Sequence, residues 1–142
     1  MTTFSTAKTC IGCTVLILTL CLSASAQSSM ERQIWALKQL ENGSNRHCGP
    51  SGELGETQIM PYRLRECKIP IPAKINAKWV SDATAVILVR SCAHFDRIHH
   101  RWPTDYETGL LWHCPGAIRH PNREQADFAQ KFANLCQRKE IK

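Results

Sequence analysis

Apolar residues return at helical spacing along most of this chain, and the polar residues between them carry the signals that start and stop helices. Ser28 and Glu31 form an S-x-x-E capping box, with Ile34, Leu37 and Glu41 following at i, i+3 and i+7. Asn42-Gly43 supplies the left-handed residue that ends such a helix. Pro61 suits the first position of a short helix over residues 62–67, because its missing N–H costs nothing there. Residues 68–80 contain Pro70 and Pro72 and read as an irregular connection covering one side of a cleft. Ser81 is the expected N-cap of the longest helix, from Asp82 to about His100. On it Ala85, Leu88, Cys92, Phe95 and His99 form a stripe that Val86, Val89 and Ala93 widen, while Arg90, Arg97 and Arg101 share another face. Pro103 ends it.

Two more starts follow. Thr104-Asp105-Tyr106-Glu107 is a second capping box, opening a short helix that Cys114-Pro115-Gly116 breaks. Asn122-Arg123-Glu124-Gln125 caps a last helix whose apolar face is Phe128, Phe132 and Leu135, with Ala129 and Cys136 beside it. Only residues 44–58 leave room for a small β-hairpin. There are no internal repeats and no linkers that would separate a second domain. The fold class expected is therefore α+β, mainly α, in a single domain.

Residues 1–26 read as a leader. Lys8 precedes an apolar run over residues 10–22, and Ser23-Ala24-Ser25-Ala26 ends in the small-x-small pattern of signal-peptidase sites. A run of about 13 residues is too short to cross a hydrocarbon core of roughly 30 Å as a helix, so no stable membrane anchor is expected after cleavage. Domain boundaries are thus 1–26 for the signal and 27–142 for the exported domain, secreted or periplasmic. Export changes the reading of the cysteines. Of eight, Cys10, Cys13 and Cys21 lie in the leader, leaving Cys48, Cys67, Cys92, Cys114 and Cys136. An oxidising compartment favours two disulfides and one thiol; five choices of the odd thiol and three pairings of the rest leave about fifteen arrangements open.

Charge narrows the partners. Losing Lys8 takes the formal net charge from +6 to +5, which draws an exported domain to anionic polymers or headgroups. The cations are scattered, so nucleic acid is not an expected partner. The six histidines include no H-x-x-x-H pair and no H-E-x-x-H, so no metal or other cofactor is expected.

The candidate chemistry centres on Glu41. A carboxylate that continues an apolar stripe sits at the edge of the core, where loss of water raises its pKa towards values useful to a general acid. A polar, glycine-rich segment with Gly43, Gly49, Gly52 and Gly55 follows, and then the compact Gln58-Ile59-Met60-Pro61 exit.

These residues carry a resemblance. Glu41-Asn42-Gly43-Ser44-Asn45 resembles the Glu-Ser-Gly-x-Asn motif of the soluble lytic transglycosylase (SLT) branch of the lysozyme-like superfamily. Gly55-Glu56-Thr57-Gln58-Ile59-Met60-Pro61 is similar to that family's Gly-Leu-Met-Gln-Ile-Met-Pro, in the same order and at a fitting gap. Leu111-Trp112-His113-Cys114-Pro115-Gly116 stands where the family has Ala-Tyr-Asn-Ala-Gly, with His113 in place of Asn and Cys114-Pro115 in place of small residues. The resemblance spans residues 34–135. It implies a disulfide-containing, lysozyme-like domain, most simply a monomer, that cleaves the MurNAc-GlcNAc β-1,4 bond of peptidoglycan glycan strands. Glu41 is the implied acid and base, and Gln58, Tyr62, Trp112 and His113 are the implied substrate-binding residues. Glu53 is the second carboxylate that would turn transglycosylation into hydrolysis. The alternative expectation is a non-catalytic wall-binding or inhibitor-like domain on the same scaffold.

Overall fold

The computed structural model describes residues 29–41 and 51–138. The leader, the Ser28 cap, the Asn42-Gly43 helix end, Ser44-Asn45, Cys48 and the first half of the expected hairpin lie outside the described residues. The architecture is mainly helical. Helix α1 covers residues 29–40, and α2 (Pro61–Glu66), α3 (Ala77–His99), α4 (Asp105–His113) and α5 (Arg123–Cys136) follow, with one 3-10 turn at Pro115–Ala117. None of the described helices is long and apolar enough to cross a membrane.

Local chemistry explains most of the boundaries. The Thr104/Glu107 and Asn122/Gln125 capping boxes are both fully formed, each N-cap side chain accepting from the N3 backbone while the N3 side chain accepts from the N-cap N–H. Pro61 occupies the first turn of α2. Helix α3 begins earlier than the sequence suggests. Asn76, not Ser81, is its N-cap, with its side chain accepting from Trp79 N at 2.9 Å, and Ala77–Val80 is helical rather than irregular. The Ser81 hydroxyl instead donates to Ala77 O one turn back, at 3.0 Å, which a serine inside a helix does readily. At the far end His100 adopts the left-handed conformation, φ 53°, and ends the helix before Pro103 is reached.

The buried face of α3 is also rotated from expectation. Val80, Ala83, Thr84, Ile87, Leu88, Cys92 and Phe95 are buried, whereas Val86 and Val89 are exposed. The helix begins five residues earlier than expected, and the added Val80 joins Ala83, Thr84, Ile87 and Leu88 in one buried row that places Val86 and Val89 on the outer side. Around this face Leu37 of α1, Ile59, Leu64 of α2 and Phe132 of α5 close one core, each at most 1% exposed. Burying a side chain of this size is worth roughly 1.5–3 kcal/mol, so these four residues contribute substantially to the fold's stability. Gly109 lets α4 and α5 approach, because a Cβ there would come within 3.0 Å of Ala129 Cα and 3.1 Å of Phe132.

Among the described residues the expected hairpin is represented by one antiparallel bridge between Leu54 and Ile59, with paired N–H···O bonds of 2.9 Å, closing the Gly55-Glu56-Thr57-Gln58 turn. Three contacts hold this turn against the helices. Lys38 Nζ of α1 meets Glu56 Oε2 at 2.9 Å. The Thr57 hydroxyl lies 2.8 Å from Thr84 Oγ1 in the core; Thr84 spends its own proton on Val80 O, so Thr57 donates. Gly55, at φ +72°, has its Cβ position filled by Val80. Gly55→Ala is therefore expected to cost about 2–3 kcal/mol, from left-handed backbone strain and overpacking together. Urea denaturation measures this, and an unchanged midpoint would mean that the turn is not seated on α3.

The disulfide-containing part of the expected fold is corrected for the described residues. Cys67, Cys92, Cys114 and Cys136 are all free thiols. Two of them are used as small core side chains: Cys92 packs with Sγ 3.9 Å from Thr108 Oγ1, and burial pushes the Cys136 thiol up to about 12.

Candidate active site

All six residues singled out from the sequence line one pocket of about 300 Å³. Glu41, Glu53, Gln58, Tyr62, Trp112 and His113 share it with Met60 and Arg63. They come from four places: the end of α1, the Leu54–Ile59 turn and its flanks, the start of α2, and the end of α4.

Glu41 is held on the last turn of α1 by its N–H, which donates to Leu37 O at 2.9 Å. Its carboxyl is half-buried. Burial is the main cause of a pKa raised above the ordinary carboxylate value, and the charge of Glu53 adds to it; the Trp112 indole N–H, donating to the carboxyl, pulls the other way. The balance tilts the carboxyl towards its protonated form. That arrangement suits a general acid.

Glu53 is the opposite case. Its pKa is lowered, because its carboxylate accepts from its own backbone N–H and from Ser51, whose N–H lies 2.9 Å from Oε2. One pocket therefore contains a carboxyl pushed towards the protonated form and a carboxylate held ionised. Two acids whose pKa values are driven apart are the signature of an acid and base pair.

Trp112 is itself positioned. Arg63 is 5% exposed, and its Nη2 donates to Leu111 O and Trp112 O at 2.7 Å each, which supplies carbonyls at the end of α4 with a cation. Its guanidinium also lies 5.4 Å from the Trp112 ring centroid. No carboxylate pairs with Arg63 among the described residues, so the α4 carbonyls and the indole face are what balance it. Nothing in the local sequence marks Arg63 as part of the site. Arginine in a short helix ordinarily reads as surface, and its acceptors lie 48 and 49 residues further along. Met60, the N-cap of α2, was visible only as part of the Gln-Ile-Met-Pro exit.

The remaining residues are placed as follows. Gln58 lines the pocket at φ 50°, but its Nε2 donates to Gly55 O at 2.7 Å, so one amide proton serves its own turn and Oε1 is what it can offer a ligand. The backbone pairing that closes this turn is made by Leu54 and Ile59. Tyr62 is 39% exposed, with its hydroxyl 3.4 Å from Arg63 Nε. His113 is exposed on the last turn of α4, and its ring stacks on Phe128 at 4.5 Å. Among the described residues no group of three His, Cys, Asp or Glu side chains could hold a metal ion.

A half-buried acid, an ionised partner, aromatic faces and amide and imidazole groups in one concave site give the chemistry of polar, ring-shaped ligands and proton transfer. No family model, no curated protein and no solved structure matches this chain, so its function is read from the pocket and from the motifs that line it.

Proposed function

We propose that the protein is an exported, lysozyme-like glycosidase that cleaves the β-1,4 bond between MurNAc and GlcNAc in peptidoglycan, with Glu41 as general acid and base. The observation that carries this reading is the convergence of Glu41, Gln58 and Met60, and Trp112 and His113, residues from each of three motifs, on one pocket around a carboxyl with a raised pKa. In the proposed reaction the Glu41 proton passes to the glycosidic oxygen, the C1–O bond breaks, and positive charge spreads over C1 and the ring oxygen. If the attacker is the sugar's own O6, the Glu41 carboxylate takes its proton and the product is a 1,6-anhydro end; if it is water, Glu53 takes its proton and the product is a reducing end. Trp112 and Tyr62 offer aromatic faces to the sugar rings, and Gln58 Oε1 and His113 offer polar contacts. The domain acts as a monomer in the envelope space without a cofactor.

Glu53 decides between the two outcomes. Held ionised beside Glu41, it is suited to activate water, which favours hydrolysis. Glu53→Gln is expected to lower the yield of reducing ends by about a hundredfold, the usual worth of a general base. Mass analysis of muropeptides released from purified sacculi reads this directly. Full activity with anhydro ends in both proteins would assign the reaction to transglycosylation by Glu41 alone. Binding to sacculi with no released fragments from either protein would leave the non-catalytic wall-binding alternative.

A further inference from the structure

A second pocket, about 470 Å³, lies beside the first and shares two of its walls, Tyr62 and Arg63. It is built differently. Its floor is apolar, from Ile87 of α3, Leu111 of α4 and Pro115, and its edges are charged. Arg90 and His94 stand one turn apart on α3, both exposed. Arg90 makes one long bond, Nη1 to Glu66 O at 3.4 Å, and pairs with no carboxylate among the described residues. Arg97 Nη2 lies 3.3 Å from His94 Nδ1; a guanidinium only donates, so Nδ1 accepts and Nε2 carries the proton, leaving His94 a donor. Glu66, whose backbone oxygen faces Arg90, adds one negative charge to the lining.

An apolar trough lined by a guanidinium and an imidazole N–H donor, with one carboxylate beside them, fits a short peptide bearing carboxylates, an alkyl body and an amine. We propose that this pocket receives the peptide stem that a peptidoglycan strand carries, next to the sugar in the first pocket. On this inference, which rests on the glycan-cleaving reading for its substrate, Arg90 and His94 bind stem carboxylates, Glu66 binds the stem amine, and Tyr62 and Arg63 form the wall between sugar and peptide. The protein then selects peptide-substituted strands over bare ones.

Two measurements on the full chain test this, with wild type beside the double variant Arg90→Glu/His94→Gln, whose sites are exposed and outside the first pocket. The first is an NMR titration with a free stem tetrapeptide. Shifts are expected in residues 62–67 and 87–94, with affinity at least tenfold weaker in the variant, as loss of a charge-assisted hydrogen bond entails. The second compares cleavage of intact strands with strands stripped of peptide by an amidase. Wild type is expected to show a KM about tenfold lower for intact strands, and the variant to lose that preference with kcat on stripped strands unchanged. Absence of peptide binding, or equal binding by both proteins, overturns the inference even if both strands are cleaved. Peptide binding that depends on Arg90 and His94, with neither strand cleaved, supports the peptide site and overturns the glycosidase reading instead.

Discussion

Glu41→Gln is expected to reduce glycan cleavage about a thousandfold while making the protein more stable at neutral pH. The first effect follows from removing the only proton that the half-buried carboxyl can deliver, since general acid catalysis is worth roughly 10²–10⁴ in rate. The second follows from linkage. Burial raises the Glu41 pKa, so the folded chain binds that proton more tightly than the unfolded chain does. Glu41 therefore costs nothing below the ordinary carboxylate value, costs progressively more as pH rises through its raised pKa, and costs its full amount above it. Gln is uncharged and its Oε1 still accepts from the Trp112 indole. The variant should melt at a higher temperature than wild type at pH 7 and at the same temperature near pH 4. Thermal melts at both values check the sign, and equal melting at pH 7 would mean that Glu41 is not desolvated. Wild-type activity should likewise fall as pH rises through the raised pKa.

Arg63 variants are expected to have the next largest effect. Arg63→Met leaves Leu111 O and Trp112 O without their buried donor, and each acceptor left unsatisfied costs about 1–3 kcal/mol. Arg63→Lys separates structure from chemistry: it keeps the charge but cannot bond both carbonyls or stack on the indole. The lysine variant should fold with Trp112 less firmly held. Because the indole bond lowers the Glu41 pKa, loosening it lets that pKa climb. A lower kcat with the alkaline limb of the pH–rate profile moved upward is the result expected of a positioning residue. Reduced stability with an unmoved limb would make Arg63 structural only.

The first turns of the helices were the most legible part of this sequence. Thr104/Glu107 and Asn122/Gln125 were readable because a capping box is satisfied within four residues, whatever the rest of the chain does. The start of α3 was not. Asn76 and Ser81 are both capable N-caps, and the choice between them is made by burial of Val80 against Gly55, a contact 25 residues apart in sequence that no local pattern contains. The candidate pocket divides the same way. Glu41, Gln58 and Trp112 stand in motif segments with recognisable order, so their grouping was foreseeable. The packing of Arg63 under Trp112 depends on the end of α4 arriving over α2, and spacing along the chain cannot express that. The disulfides were inferred from compartment rather than from geometry, and the described cysteines stand on α3, α5 and the C-caps of α2 and α4 without pairing.

The most direct measurement is mass analysis of soluble fragments released from purified peptidoglycan sacculi, with wild type and Glu41→Gln run side by side near pH 5. The expected result is muropeptides cut between MurNAc and GlcNAc from wild type and essentially none from the variant. Equal release by both proteins, or intact sacculi with both, would contradict the assignment of Glu41 as the acid of a glycan-cleaving site.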